Sequence, residues 1–260
     1  MTTPTSTLRF QGRVALVTGG TTGIGRATAI AFAREGARVV VAGRRRTEGD
    51  ETVRLARAVA AAGGDASFVE ADVTSEASVA KLVETVMARH GRLDAAFNNA
   101  GVEQQKIAPL VESTVEDYEH VFGANVRGVF ASMKHEIRAM LEHGGGSIVN
   151  NASVAGLVGF AGNAIYSASK HAVVGLTRAA ALDYAKSGVR VNAVAPAAIQ
   201  TPMLERFTQT VPREMLESLH PIGRIGTPEE IAAAVLWLCA SESSFVTGQT
   251  LAVDGGFTAQ

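Results

Sequence analysis

The hydrophobic positions of this chain fall into two kinds of block that alternate along the sequence. Short runs are apolar at nearly every position, which is typical of strands buried on both faces of a parallel sheet. Longer segments between them repeat apolar residues at helical spacing. The short runs predict strands at 14–17, 39–42, 67–70, 93–97, 147–151, 189–194 and 250–253. The longer segments predict helices over 24–35, 50–62, 75–90, 114–141, 163–187 and 228–240.

This alternation predicts the α/β fold class. Apolar strands joined by crossover helices form a single parallel sheet flanked by helices, and right-handed crossovers make it doubly wound, or Rossmann-like. No linker, internal repeat or low-complexity tract interrupts the pattern. We therefore expect one domain over residues 1–260. Residues 1–9 are Thr/Ser-rich without the apolar stretch of a signal peptide, and we expect a disordered tail there.

Charge and cysteine content exclude several classes of function. A net charge of −1 leaves no basic surface for nucleic acid or for an anionic membrane. No apolar stretch is long enough to span a membrane. The single cysteine, Cys239, excludes an intramolecular disulfide, and the six histidines lack the spacing of metal ligands, so we expect no metal. These features favour the reducing cytoplasm.

A glycine-rich turn follows the first predicted strand. Its sequence, Thr18-Gly-Gly-Thr-Thr-Gly-Ile-Gly25, has glycines at 19, 23 and 25. They permit a tight turn, close approach of backbone to a pyrophosphate, and close packing of helix on strand. The helix that follows would direct free N–H groups at the phosphates. Because turns need glycine in any case, the glycines alone are weak evidence for nucleotide binding. The position of the loop in the first βαβ unit strengthens that evidence.

Tyr166 and Lys170 form the second informative pattern. Four residues apart on a helix, they lie on one face across a single turn. Lowering a phenol pKa from ~10 to ~7 requires about 4 kcal/mol. An ammonium about 4 Å away supplies that much at an effective dielectric of ~20. The pair therefore fits an acid/base centre, although the spacing alone favours a surface tyrosine and a surface lysine.

Several motifs in order are similar to those of the short-chain dehydrogenase/reductase family. They are the glycine loop, Asn98-Asn99-Ala100-Gly101 after the fourth strand, Asn125 in Asn-Val-Arg-Gly, Ser153 after the fifth strand, Tyr166-x-x-x-Lys170, and Pro196 after the sixth strand. The resemblance covers nearly the whole chain. It implies an NAD(P)(H)-dependent oxidoreductase that interconverts a secondary alcohol and a ketone by hydride transfer.

The resemblance also implies catalytic roles. Tyr166 would be the general acid in reduction and the base in oxidation. Lys170 would lower the pKa of Tyr166 and hold the nicotinamide ribose, and Ser153 would bind the substrate oxygen. Asn125 would place a water that relays protons from Lys170 to solvent. Two alternatives stay open: Ser153 as an ordinary loop serine, and Asn125 as an amide that hydrogen-bonds a distorted helix.

The same resemblance implies a set of cofactor contacts. Asp72 with Val73 would meet the adenine edge, or Asp72 would instead cap a turn or a helix. Ile199 and Thr201 would meet the carboxamide. Together with Tyr166 and Lys170, the implied contacts are Gly19, Thr21, Thr22, Gly23, Ile24, Gly25, Asp72, Val73, Asn99, Ala100, Gly101, Pro196, Ile199 and Thr201.

The end of the second strand bears on the choice of cofactor. An acidic side chain there would bind the ribose hydroxyls, but this chain has Gly43 followed by Arg44. A guanidinium suits a 2′-phosphate, so NADP(H) is favoured over NAD(H), with Arg44 as a cofactor contact. Against this, Thr22 stands where many NADP(H)-using relatives carry a basic residue. Arg45 and Arg46 also fit solvated residues at a helix start.

The substrate side of the predicted site is mostly apolar. Residues 202–222 have weak periodicity and suggest a lid over the substrate, or alternatively a helical hairpin on the core. Ala197 replaces the family's usual glycine and would narrow the pocket. The expected walls favour a small carbonyl or alcohol substrate with a hydrophobic or cyclic body; they are Val102, Glu103, Val154, Phe160, Ile165, Met203 and Phe207.

Two other functions fit part of the sequence. A serine hydrolase would use Ser153, Asp183 and His220, but the Gly-x-Ser-x-Gly elbow is missing. A non-catalytic nucleotide-sensing protein of the same fold would usually have a broken Tyr166–Lys170 pair, which is intact here.

The predicted helix 163–187 has little polar surface. We expect a second subunit to cover it together with helix 114–141, in a two-fold interface. The family resemblance implies a homotetramer.

Overall fold

A parallel sheet forms the centre of the molecule. In this computed structural model, which describes residues 8–207 and 211–260, the strands are β1 Val14–Thr18, β2 Arg38–Gly43, β3 Asp65–Glu70, β4 Ala95–Asn98, β5 Gly146–Asn151, β6 Val189–Pro196 and β7 Thr250–Val253. Within the described residues the sheet has seven strands in the order β3-β2-β1-β4-β5-β6-β7, and every neighbouring pair is parallel. The predicted fold class is confirmed. The order reverses between β1 and β4, where open α/β sheets bind ligands.

Helices cover both faces of the sheet. They are α1 Gly23–Arg34, α2 Arg46–Val59, α3 Glu76–His90, α4 Val115–Phe122, α5 Gly128–Leu141, α6 Ala164–Tyr184, α7 Pro202–Phe207, α8 Arg213–Ser218 and α9 Pro228–Cys239. One apolar layer includes Phe32 of α1 and Ile231 of α9, and the other includes Leu82 of α3 and Val173 of α6. The strands are apolar on both faces because both faces are buried.

Most predicted helices differ from the structure by one to three residues at an end, and two differ more. The predicted helix 114–141 is divided by a π-helical segment, Gly123–Arg127, between α4 and α5. Helix α2 begins at Arg46 and not at residue 50, so Gly49 lies within the helix and not before it. A Cβ on Gly49 would be 2.3 Å from the ring of Phe68 on β3, so glycine permits close packing there and does not end the helix.

The amino-terminal stretch is anchored where it is described. Arg9 pairs with Glu35 after α1, with 2.9 Å between Nη2 and Oε1. The disordered tail expected over 1–9 therefore does not extend to Arg9, and residues 1–7 lie outside the described residues. No helix in the described ranges combines the length and the apolar character that crossing a membrane requires.

Candidate active site

One cavity of about 810 Å³ lies at the carboxyl ends of the strands. Its lining includes the glycine loop, the Tyr166–Lys170 pair and residues of α7. It brings together seventeen of the nineteen residues predicted for catalysis or cofactor binding. The two exceptions are Gly25 and Asn125, which support the lining from behind.

The glycine loop is packed tightly against the loop after β4. Gly19 has φ of +61°, and a Cβ there would lie 2.7 Å from the Cα of Ala100. A Cβ on Gly25 would lie 2.3 Å from the carbonyl oxygen of Gly19. The side-chain amide of Asn99 donates to that same oxygen at 3.0 Å. No larger side chain fits at either glycine, and the turn is therefore fixed in place before any ligand binds.

The amino end of α1 suits an anion. Thr22 is the N-cap, but its side chain makes no capping hydrogen bond, and the first turn of α1 has no acidic residue. Its first N–H groups and the helix dipole point at the cavity with nothing acidic to neutralise them. The residues present therefore fit the pyrophosphate of a dinucleotide.

The adenosine end of the cavity contains two arginines and one carboxylate. Arg45, which sequence reasoning treated as solvated, donates from Nη2 to the hydroxyls of Thr21 (3.2 Å) and Thr22 (3.0 Å). Arg44 is exposed at the cavity, and its charge acts on Asp72. Burial alone would raise the pKa of Asp72, but hydrogen bonds from Thr74 and the charge of Arg44 bring it below its usual value.

Asp72 also closes a local turn. Its Oδ1 accepts from the backbone N–H and the hydroxyl of Thr74, at 2.9 and 2.8 Å. Oδ1 therefore caps a turn, as one of the two alternatives predicted. Asp72 and Val73 nevertheless both line the cavity. Helix α3 is capped by Ser75 and not by Asp72.

Tyr166, Ser153 and Lys170 meet in the middle of the lining. Tyr166 and Lys170 lie on one face of α6, and the Lys170 ammonium is 5.6 Å from the centre of the Tyr166 ring. Lys170 Nζ donates to the backbone oxygen of Asn151 at 2.7 Å. Ser153 follows β5 and lies close enough to Tyr166 to oppose the rise of its pKa. A carbonyl oxygen placed here would have two hydroxyl groups beside it.

Both titratable groups of this centre are held toward their neutral forms. Burial raises the pKa of Tyr166 to about 12; the nearby Ser153 hydroxyl opposes that rise, and the charge of Glu103 adds to it. Burial lowers the pKa of Lys170 to about 8. The lowering of the Tyr166 pKa by Lys170 stays a prediction, because the ammonium is engaged with Asn151.

Asn125 lies in the π-helical segment, and its side-chain amide makes hydrogen bonds with backbone and hydroxyl groups. Its Oδ1 accepts from the Val102 N–H at 2.8 Å, and its Nδ2 donates to the Val102 oxygen at 2.9 Å and to Ser169 Oγ at 3.1 Å. The alternative of an amide in a distorted helix thus describes its side chain. Oδ1 accepts only one of the two hydrogen bonds an amide oxygen can take, so the placing of a water by Asn125 stays a prediction.

The carboxyl end of β6 and the start of α7 close the cavity. The Pro196 oxygen accepts from Ser153 Oγ at 3.4 Å. Thr201 Oγ1 accepts from the Leu204 N–H at 3.2 Å and so begins α7. Ile199 is buried, and Ala197 lines the cavity without strain, since no described residue other than glycine has positive φ.

The substrate end of the cavity is apolar with few exceptions. Val102, Glu103, Val154, Phe160 and Met203 line it as predicted. Ile165 does not; it is buried behind the lining, and the side chain of Phe207 lies outside the described part of the chain. Sequence reasoning missed further apolar walls, because they come from residues distant along the chain: Ile107, Leu216, Leu219 and Phe257.

The hydrolase arrangement is not assembled. His220 hydrogen-bonds the Leu216 oxygen through Nδ1 (2.7 Å) and the Ala198 N–H through Nε2 (3.3 Å), so neither ring nitrogen serves Ser153. Asp183 is exposed on α6. Among the described residues, no group of three or more His, Cys, Asp or Glu side chains is placed to hold a metal ion.

A buried carboxylic acid lies below the site and outside the cavity. Glu136 of α5 is fully buried, and its Oε2 accepts from Asn98 Nδ2 at 2.9 Å. The same amide donates to Asn150, which donates to Thr177 of α6. Within the described structure, Glu136 Oε1 and Asn98 Oδ1 have no hydrogen-bond partner. Burial raises the pKa of Glu136 to about 7.

Almost the whole chain is similar in sequence to known proteins. The family model described as "Enoyl-(Acyl carrier protein) reductase" matches residues 19–258. A 2,5-dichloro-2,5-cyclohexadiene-1,4-diol dehydrogenase from Sphingobium indicum is 47% identical, over 96% of this chain and 98% of its own length. A cyclohexanol dehydrogenase from an Acinetobacter species is 40% identical, over 97% of both chains.

A solved structure agrees with the fold. The crystal structure of levodione reductase superposes with a TM-score of 0.93 at 38% identity, covering 96% of this chain and 99% of that one. Identity and coverage of this extent show common descent as well as a common fold. The chain therefore belongs to the short-chain dehydrogenase/reductase family, NAD(P)-dependent oxidoreductases that act on CH–OH groups and carbonyls.

Proposed function

We propose that this chain interconverts cyclic secondary alcohols and ketones with NADP(H), and that Tyr166 exchanges the proton with the substrate oxygen. The observation that supports this most is the meeting of Ser153, Tyr166 and Lys170 in one cavity that the glycine loop also lines. The bound cofactor would supply or accept the hydride. The chain itself holds the substrate oxygen and moves the proton.

The environment of Tyr166 fits proton donation. With a pKa raised to about 12, the phenol keeps its proton at neutral pH, which is the form that reduction of a ketone needs; oxidation needs the phenolate, so we propose that Lys170 lowers this pKa when the cofactor is bound. Ser153 would donate to the same oxygen and stabilise its developing charge. Lys170 and Asn125 would support this centre, Lys170 at the ribose and Asn125 by fixing the loop at Val102.

Arg44 supports the preference for NADP(H) over NAD(H). It stands at the cavity directly after β2, where an acidic residue would select the unphosphorylated ribose. Arg45 is held by Thr21 and Thr22, and it adds a second positive charge beside the same loop. The other predicted cofactor contacts, from the glycine loop to Thr201, belong to this proposal.

The cyclic substrate is inferred from the walls and from relatives. The apolar lining suits a ring, and two similar proteins are named for cyclohexanol and for a cyclohexadienediol. Residues 1–260 would act as one domain, with 202–222 as a lid; helices α7 and α8 form part of it, and residues 208–210 lie outside the described residues.

A homotetramer in the cytoplasm completes the proposal. The outer face of α6 exposes small and apolar residues, of which Leu182 is 83% exposed. On α4 and α5, Tyr118 and Phe130 are about half exposed as well. A second copy of the chain would cover these residues.

A panel of cyclic ketones and alcohols, followed by nicotinamide absorbance with both cofactors, tests the function. Tyr166→Phe keeps the ring and removes the proton donor, so turnover should fall roughly 10²-fold or more. Binding of NADPH, measured by its fluorescence, should remain. Turnover by the variant at the wild-type rate would contradict the role of Tyr166.

A further inference from the structure

One carboxylate stands among the apolar walls at the substrate end of the cavity. Glu103 follows the Asn98–Gly101 motif and lines the same cavity as Tyr166, among walls that include Val154, Phe160 and Phe257. Its side chain is 30% exposed. A carboxylate that is mostly removed from water loses hydration, and ion pairs and hydrogen bonds are needed to compensate that loss.

The ion pair of Glu103 does not account for its position. Arg206 of α7 approaches with a single contact, 3.4 Å between Nε and Oε1, and the Arg206 side chain is 60% exposed. Pairs of this kind contribute little. Burial raises the pKa of Glu103 despite Arg206, so the described residues do not fully compensate the charge. A carboxylate has about four acceptor sites, and a single long contact leaves most of them open.

The loop that carries Glu103 is fixed on both sides. Asn125 binds the N–H and the oxygen of Val102 at 2.8 and 2.9 Å. Gln104 is buried, and its Nε2 donates to the oxygens of Lys106 (2.7 Å) and Gly162 (3.2 Å). Glu103 is therefore presented to the cavity by a rigid backbone, which is what a recognition residue requires.

Glu103 also lies close enough to the reaction centre to influence it. Its charge contributes to the raised pKa of Tyr166. Glu103, Tyr166 and Ser153 line the same cavity, so a substrate whose oxygen is at Tyr166 and Ser153 can direct a second substituent toward Glu103. A hydroxyl there can donate to the carboxylate, an apolar substituent cannot, and a second carboxylate would be repelled.

We propose that Glu103 is a specificity-determining residue that accepts a hydrogen bond from a second hydroxyl group of the substrate. The preferred substrates are then cyclic diols and the corresponding hydroxyketones. This inference rests on the proposed function, because it concerns the same cavity and the same reaction.

The test is a ratio of kcat/KM values measured on one enzyme preparation. Cyclohexane-1,4-diol and cyclohexanol are oxidised with each cofactor by the wild type, Glu103→Gln and Glu103→Leu. Hydrogen bonds to a charged group predict a preference for the diol of roughly 10-fold or more in the wild type. Glu103→Gln should reduce the ratio, and Glu103→Leu should bring it close to unity. Because the ratio compares two substrates, the fraction of active protein cancels.

A matched control and a third substrate sharpen the result. Glu112→Gln changes an exposed glutamate outside the cavity that pairs with Lys106, and it should keep the wild-type ratio. An unchanged ratio in Glu103→Leu would overturn the inference. So would a wild-type preference for 4-hydroxycyclohexanecarboxylate over the diol, since Arg206 would then select the substrate. Absence of turnover with every alcohol and both cofactors would instead defeat the proposed function.

Discussion

At the scale of single residues, the centre consists of two groups that burial keeps near neutrality. Tyr166 holds its proton more firmly than a free phenol, and Lys170 releases its proton more easily than a free ammonium. This arrangement costs stability, because both groups lose hydration. Such costs are typical of functional sites, where pKa values depart from those in water.

Arg44 provides a prediction at the same scale. Arg44→Asp replaces a phosphate-binding charge by one that accepts from ribose hydroxyls and repels the 2′-phosphate. The ratio of kcat/KM for NADP(H) to that for NAD(H) should fall roughly 10-fold or more, since hydrogen bonds to charged groups contribute about 1.5–3 kcal/mol.

Arg46→Asp is the control for Arg44. It makes the same change of charge two residues away, at a side chain that pairs with Glu70 and does not line the cavity. It should leave the cofactor ratio near that of the wild type. Equal effects from the two variants would mean that general electrostatics, and not a contact of Arg44, sets the preference.

Side chains with a fixed spacing were predictable, and contacts made by the fold were not. Ser153, Tyr166 and Lys170 carry their chemistry in their residue types, and all three line one cavity. Asn151 holds Lys170 through its backbone oxygen, so its residue type contains no signal. The contact of Arg45 with Thr21 and Thr22 joins residues more than twenty positions apart, and only the parallel packing of β1 and β2 brings them together.

At the scale of elements, strands were predicted more accurately than helix boundaries. Strand β7 has the predicted bounds, because its apolar run is bounded by polar turns and is too short for a helix. The π-helical segment was not predicted. Asn125 lies in it and hydrogen-bonds Val102, and helical spacing before and after the segment gives no indication of that contact.

The buried polar cluster of Glu136, Asn98, Asn150 and Thr177 joins α5, β4, β5 and α6, and from it we predict how stability depends on pH. Glu136 Oε1 and Asn98 Oδ1 are both acceptors without a partner in the described structure, and protonation would turn the Glu136 oxygen into a donor. Its pKa is raised from 4.5 to about 7 in the folded chain, so folding takes up a proton. That stabilisation is complete below pH ~4.5 and is lost as pH rises to ~7, at most about 3.5 kcal/mol at about 1.4 kcal/mol per pKa unit.

Glu136→Gln keeps the shape and removes the titration. Chemical unfolding at pH 5 and pH 8 should show that the wild type loses more stability than the variant over this range. At pH 8 the variant should be the more stable of the two. Glu84→Gln, at an exposed position of α3, is the control and should follow the wild type. If the stability of Glu136→Gln and of the wild type changed with pH in parallel, the raised pKa of Glu136 would be contradicted.

At the scale of the whole molecule, we predict the oligomeric state from the exposed face of α6. Leu182 is 83% exposed on a helix whose opposite face is buried against the sheet. In a homotetramer this residue would be covered, so Leu182→Glu should lower the mass measured by light scattering to that of a dimer or a monomer. Asp183→Lys, a change of charge at the adjacent position, tests whether any charge on α6 has the same effect. A wild-type mass of one chain would contradict the assembly.

The amide of Asn125 has a consequence for how substitutions can change the substrate pocket of this chain. It holds residue 102 by its N–H and its oxygen, atoms that every residue type except proline possesses. Mutations at 102 and 103 can therefore alter the substrate pocket while the loop keeps its shape. Natural selection, or a directed-evolution library limited to these two codons, can explore new substrates with little risk to folding.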